Sequence, residues 1–222
     1  MLRTVSYNIH SGRDLFWRKR LEHMVRTLKV LQPDLIGLQE VHQNSKYGYQ
    51  AAYAAEQLGY AYVFAPSIPL ADGYYGNALL TRLPLTGTRV ISLPAKREKR
   101  TLLAATVSWS GRDISVWTTH CSLNQASRYD QLQLLAELTR QEPDVPRLLM
   151  GDFNSSAISL SPHFVDCAME HGKQHLPTIP AFRRRLDYIF ASRHWRVCGY
   201  ELYPIAWSDH LPIIAELRLH DS

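Results

Sequence analysis

The chain has 222 residues, a formal net charge of +5 and a pI of about 9.2, and 45% of it is hydrophobic. That composition supports one domain with a real core, residues 1–222, and argues against a disordered chain. No apolar run approaches the ~20 residues of a membrane span, and three widely spaced cysteines, Cys121, Cys167 and Cys198, fit reduced thiols better than a disulfide framework. The opening Leu2-Arg3-Thr4-Val5-Ser6-Tyr7 carries no basic-then-apolar leader, so a cytoplasmic location is expected. Basic charge suits a polyanionic partner, nucleic acid or a phosphorylated lipid surface, and clusters such as Arg18-Lys19-Arg20, residues 96–100 and Arg183-Arg184-Arg185 can steer one.

Residues 2–7 read as a strand. Leu21, Met24, Val25, Leu28 and Leu31 recur at helical spacing, which predicts a helix over residues 17–31, stopped before Pro33. A short buried strand follows at 35–41, then a helix at 50–58 that ends on Gly59. Strands are expected at 61–64, 77–81, 88–91, 101–109 and 114–120, separated by Pro, Gly and Asp as in an antiparallel meander. A third helix, 127–140, turns Leu132, Leu135 and Leu138 inward. Strands return at 147–151, 187–191, 196–202 and 212–218. So many strands among few helices are most economically arranged as two sheets packed face to face, with helices outside.

The chemistry-bearing residues sit beside apolar runs, where strand ends hold polar groups rigidly over a pocket. Glu40 ends Leu35-Ile36-Gly37-Leu38-Gln39, and Asn8 ends the first strand. A carboxylate, an amide oxygen and waters make typical Mg²⁺ ligation; the plainer reading pairs Glu40 with an arginine and lets Asn8 cap a turn. Asp152 and Asn154 follow Leu148-Leu149-Met150-Gly151, and extended geometry would put both on one face. The acid can orient a water and the amide can donate to a phosphoryl oxygen; the alternative is an Asx turn. In Ser208-Asp209-His210, adjacent strand residues diverge. Asp187 is therefore the better carboxylate to align His210, which leaves Asp209 for the metal or the water. His120 and Asn77 are candidate phosphate donors. Cys121 as a thiol nucleophile and Ser208 in a contiguous triad are both discounted, because the partners do not converge and no Gly-rich elbow surrounds the serine.

This ordered set — Asn8, Glu40 in Leu-Gln-Glu-Val, Gly76-Asn77-Ala78-Leu79-Leu80-Thr81, His120, Gly151-Asp152-Phe153-Asn154, Arg185-Leu186-Asp187-Tyr188 and Ser208-Asp209-His210-Leu211-Pro212 — resembles the endonuclease/exonuclease/phosphatase superfamily over residues 4–216. The superfamily includes deoxyribonuclease I, apurinic/apyrimidinic endonucleases, inositol polyphosphate 5-phosphatases and neutral sphingomyelinases. The resemblance implies a four-layer α/β/β/α sandwich and Mg²⁺-dependent phosphate-ester cleavage, with Mn²⁺ as a substitute. It implies Glu40 as main metal ligand with Asn8 and Asp209, Asp152 as the water-orienting acid and His210 aligned by Asp187. Asn154, His120, Asn77 and, loosely, Arg100 fall on the phosphate. His10 stands where some DNA-repair members carry an aspartate, which is closer to small bacterial members than to repair enzymes. A phosphodiesterase, foremost a nuclease, is expected. The rivals are a phosphoinositide or sphingolipid hydrolase and a non-catalytic binding module. A lipid enzyme needs an apolar membrane-facing loop; Phe16-Trp17 and Tyr74-Tyr75 are the short candidates, read here as packing groups. Specificity is assigned to loops at 10–17, 44–49, 67–75, 94–100 and 155–184.

Overall fold

The computed structural model describes residues 1–141 and 144–220. In chain order the strands and helices are β1 (Leu2–Asn8), α1 (Leu21–Leu31), β2 (Leu35–Asn44), β3 (Gly48–Tyr49), α2 (Gln50–Leu58), β4 (Ala61–Leu70), β5 (Gly73–Thr81), β6 (Leu85–Leu93) and β7 (Arg100–Trp109). They continue with β8 (Arg112–His120), α3 (Gln125–Gln141), β9 (Arg147–Asp152), β10 (Phe164–Asp166), α4 (Cys167–Glu170), β11 (Asp187–Ser192), β12 (Trp195–Leu202) and β13 (Ile213–Leu219). One sheet runs β12-β13-β1-β2-β5-β4, with β3 against β2, and the other runs β10-β11-β9-β8-β7-β6.

The pairings are antiparallel except β1 with β2 and β8 with β9. Each parallel pair needs a crossover, and α1 and α3 supply them. Strand periodicity sorts the side chains into layers. Leu2, Leu35, Leu148 and Met150 point between the sheets, together with Leu103, Val107, Val116, Ile213 and Leu217. Val5, Tyr7, Ile36 and Leu38 face outward onto Met24, Val25 and Leu28 of α1 and Ala51 and Ala54 of α2. On the other side Leu102, Trp117, Leu149 and Phe190 meet Leu135 of α3, with Leu132 and Leu138 partly buried against them. The expected α/β/β/α sandwich is the observed one. Gly37 lets the sheets approach: a Cβ there would lie 2.8 Å from Met150 Sδ.

Several boundaries differ from expectation. The first helix begins at Leu21, because residues 13–20 form a loop closed by a bridge between Arg13 and Lys19. The 67–75 segment is not a loop: β4 and β5 continue to a tight turn at Ala71-Asp72, and Pro66 and Pro69 are tolerated because β4 is an edge strand. Residues 155–184 hold β10 and α4, too short for periodicity to reveal. Among the described residues no helix is long and apolar enough to cross a membrane.

Candidate active site

Both parallel strand pairs point the same way, so their ends meet. Asn8 ends β1, His120 ends β8 and Asp152 ends β9. His120 pairs across the sheet with Asp152, and Asp152 pairs with Asp187 at the start of β11. Asn8 Nδ2 spans the gap between sheets, donating to Asp152 Oδ2 at 3.1 Å and Glu40 Oε1 at 3.0 Å. The expectation placed the Asn8 oxygen toward a cation; here that oxygen accepts the His10 N–H at 3.0 Å, and the amide nitrogen holds two carboxylates together.

Glu40 does not end its strand. The register with β5 jumps between Leu38 and Val41, so Gln39 and Glu40 together oppose one residue, Asn77. This bulge puts Glu40 at φ 59° and splits the two side chains. Gln39 bonds Thr118 Oγ1 between the sheets, while Glu40 turns into the cavity. Tyr75 hydrogen-bonds Glu40, and burial with that carboxylate pushes its hydroxyl far up. Reading Tyr75 as a packing group missed this; the bulge that brings the two together leaves no periodic signal.

A cavity of about 680 Å³ gathers Glu40, Tyr75, Arg100, His120, Asp152, Asn154, Asp209 and His210. At its floor His210 Nδ1 lies 2.8 Å from Asp187 Oδ2, and His210 Nε2 lies 3.6 Å from Asp152 Oδ2. Burial alone would lower the His210 pKa; the Asp187 and Asp152 carboxylates outweigh it and raise it. Asp152 is raised by burial and by Asp187. Ligand atoms of Asp152, Asp187 and His210 lie within 4.8 Å of one another, a buried group able to bind a metal.

Asp209 and His210 sit in a loop before β13 and not in a strand. They diverge because Ser208 organises the turn: its Oγ donates to the Asn8 carbonyl at 2.8 Å and accepts the His210 N–H at 3.2 Å. Asp209 is thereby turned into the cavity, with Oδ1 3.6 Å from His10 Nδ1.

Asp152 and Asn154 do not share an extended face. Asn154 has φ 51° and its N–H donates to Asp152 Oδ1 at 2.8 Å, an Asx turn that still leaves both residues on the cavity. Gly151, at φ 148°, is required there, since a Cβ would lie 1.9 Å from the Thr119 carbonyl oxygen. The Asn154 amide hydrogens expected to reach a phosphoryl oxygen point to His120 Nε2 at 3.0 Å and the Cys121 carbonyl at 2.9 Å. His120 is held neutral, chiefly by burial and then by Arg100, and its Nδ1 is buried without a partner.

Arg100 is buried on the cavity wall, paired with Glu98 at 3.1 Å. Asn77 lies apart from that wall and donates to the Thr101 carbonyl at 3.2 Å, a structural bond. The cysteines are free, and burial followed by Asp152 pushes the Cys121 thiol up to about 12, far from a nucleophilic thiolate. Glu98, Phe182 and Arg184 also line the cavity from the 94–100 and 155–184 segments to which specificity is assigned, and Leu123 joins them from a segment that carries no signal.

Sequence comparison matches residues 5–210 to the model of the Endonuclease/Exonuclease/phosphatase family. The "Uncharacterized protein YbhP" of Escherichia coli K12 is 27% identical, over 98% of this chain and 96% of that protein. Among solved structures, D. rerio TDP2 complexed with single-strand DNA product superposes with a TM-score of 0.81 at 21% identity, covering 98% of both chains. The Bacteroides thetaiotaomicron mannosyl-6-phosphatase Bt3783 gives 0.80 at 17%, over 99% of this chain and 100% of that one. The human Nocturnin catalytic domain gives 0.74 at 26%, over 99% and 93%. The chain belongs to the endonuclease/exonuclease/phosphatase family, whose members are phosphoric ester hydrolases.

Proposed function

We propose that the chain is a Mg²⁺-dependent phosphodiesterase that cleaves by in-line attack of water. The observation that carries this reading is one cavity in which His210, bonded to Asp187, stands 3.6 Å from Asp152. Glu40 and Asp209 open onto the same cavity.

The donor set fits a hard divalent cation. Glu40 is hydrogen-bonded by neutral groups, the Asn8 amide and the Tyr75 hydroxyl, and Asp209 adds a second carboxylate. Glu40 and Asp209 would hold the ion, with Asn8 positioning Glu40; Mn²⁺ would substitute. Bound there, it would neutralise charge on the phosphate and on the leaving oxygen.

The chain's own residues do the rest. Asp152 orients the water and takes its proton. His210, with its raised pKa, enters as imidazolium and donates to a phosphoryl oxygen, while Asp187 fixes its orientation. Arg100 binds the phosphate; Asn154 holds His120 beside it as a neutral imidazole, and Asn77 supports Thr101 behind it.

Among phosphate esters, basic charge suits nucleic acid and lipid headgroups alike. Exposure of Phe16 and Trp17, against the expectation that they pack inside, favours the lipid as a second reading. A panel of plasmid DNA, RNA, abasic duplex, inositol phosphates and sphingomyelin with Mg²⁺ tests both. Cleavage of one class assigns the substrate, and no hydrolysis of any ester with Mg²⁺ or Mn²⁺ defeats the proposal.

A further inference from the structure

The loop between β1 and α1 presents Leu15, Phe16 and Trp17 to solvent in sequence, 45%, 73% and 62% exposed. It is a built feature and not a slack one. Asp14 is buried beneath it, and its carboxylate accepts from the Phe16 N–H (2.9 Å), the Arg18 N–H (3.0 Å), Arg18 Nε (2.8 Å) and Arg20 Nε (3.0 Å). Trp17 is held at φ 62°, a rare conformation for a bulky side chain, by Arg13 Nη1 on its carbonyl at 2.6 Å. Its ring rests on His10 and the Arg13 guanidinium, and the Arg18 guanidinium lies over Phe16.

The tip continues into a groove beside the catalytic cavity. Leu15, Phe16, Pro180, Ala181, Pro204 and Ile205 line about 380 Å³ of apolar space that borders Asp209, a residue shared with the cavity. Phe182, 65% exposed, stands at the cavity wall next to Pro180 and Ala181. Exposed cations flank this apolar rim: Arg18 and Lys19 on one loop, Arg183 and Arg184 on the other.

We propose that this rim docks the catalytic mouth on an anionic lipid bilayer. Apolar and aromatic side chains at a loop tip, ringed by Arg and Lys, match the boundary between acyl chains and charged headgroups. Two observations favour a bilayer over a nucleic-acid strand. The groove is walled largely by aliphatic and proline side chains, not by a row of stacking rings. The cavity itself carries carboxylates at Glu40, Glu98, Asp152 and Asp209 beside Arg100 and Arg184, while the exposed Arg18, Lys19 and Arg183 lie at the rim and not along a backbone track. Docking rests on the lipid form of the phosphodiesterase reading for its purpose, but it is read by binding and not by turnover.

The test is sedimentation of the full chain with phosphatidylglycerol vesicles, against phosphatidylcholine vesicles and a (dT)12 oligonucleotide, with tryptophan emission followed in parallel. Hydrolysis of bis(p-nitrophenyl) phosphate, a soluble diester, is assayed separately, so loss of docking and loss of phosphodiesterase chemistry are told apart. Binding to phosphatidylglycerol at least tenfold tighter than to phosphatidylcholine is expected, with a blue shift that disappears in Trp17→Phe. The double variant Leu15→Ser/Phe16→Ser and the charge reversal Lys19→Glu/Arg183→Glu should each weaken binding about tenfold or more, with circular dichroism unchanged. No binding to phosphatidylglycerol overturns the proposal. So does a Trp17 signal that answers to the oligonucleotide alone, or a dimer in solution that Leu15→Ser/Phe16→Ser dissolves.

Discussion

The floor of the cavity and its rim break the ordinary rule of burial in opposite directions. At the floor, Asp152, Asp187 and His210 are ionisable groups almost wholly buried. At the rim, Leu15, Phe16 and Trp17 are large apolar groups left in water. Burying each such side chain would ordinarily contribute about 1.5–3 kcal/mol. Each region is held in its unfavourable state by hydrogen bonds that fix it: Asn8 and the Asp187–His210 contact below, the four-bonded Asp14 above. Departures from stability that are this well braced mark functional ground, chemistry at the floor and contact at the rim.

Breaking the floor should cost most. His210→Ala is expected to lower kcat on a soluble diester by about 10⁴-fold, with circular dichroism unchanged. Asp187→Asn leaves the imidazole but removes the leading carboxylate that raises its pKa. It should lower kcat by roughly 10²-fold and move the basic limb of the pH profile to lower pH, because the imidazolium then releases its proton earlier.

The frame beneath the floor is next. Gly151→Ala forces a Cβ into the Thr119 carbonyl at a φ that side chains rarely adopt. A loss of about 3 kcal/mol, read as a fall in thermal midpoint of roughly 9 °C, is expected.

The rim gives the smallest effect. Burial raises the Asp14 pKa, but its hydrogen bonds from Arg18, Arg20 and Phe16 outweigh this and hold it at about 2. Its folded pKa is below the unfolded value of ~3.9, so its contribution is present above pH ~4 and lost as pH falls through about 2. Protection of the Phe16 and Arg18 amides, which donate to Asp14 Oδ1, should fall over that window and be lost at every pH in Asp14→Ala, which has no side-chain acceptor. Exchange that is slow in the variant contradicts the bracing.

The floor was largely legible in the residues and the rim was not. Asp152, Asp187 and His120 each close or open an apolar run, so a strand reading finds the edge on which they meet. The Asp187–His210 pairing followed from asking which carboxylate could face the ring. What escaped depends on tertiary register. The Glu40 bulge needs β5 opposite β2 to exist, and Asn77 spends its amide on Thr101; at Asn154, two residues past the end of β9, the Asx turn named as the alternative displaces extended geometry. Phe16 and Trp17 look like core by composition, and the signal against it, Asp14 followed by Arg18 and Arg20, acquires meaning once the loop closes over the acid.

The proposed mechanism has Glu40 and the Asp187–His210–Asp152 floor act on one phosphorus with a divalent cation. Its most direct test is a Mg²⁺ titration of soluble-diester hydrolysis after EDTA stripping, wild type beside Glu40→Gln. No turnover is expected without metal, with recovery in the wild type on adding Mg²⁺ and a requirement for at least tenfold more Mg²⁺ in the variant. Full turnover after stripping, or a variant with the wild-type rate and wild-type Mg²⁺ dependence, would contradict that mechanism.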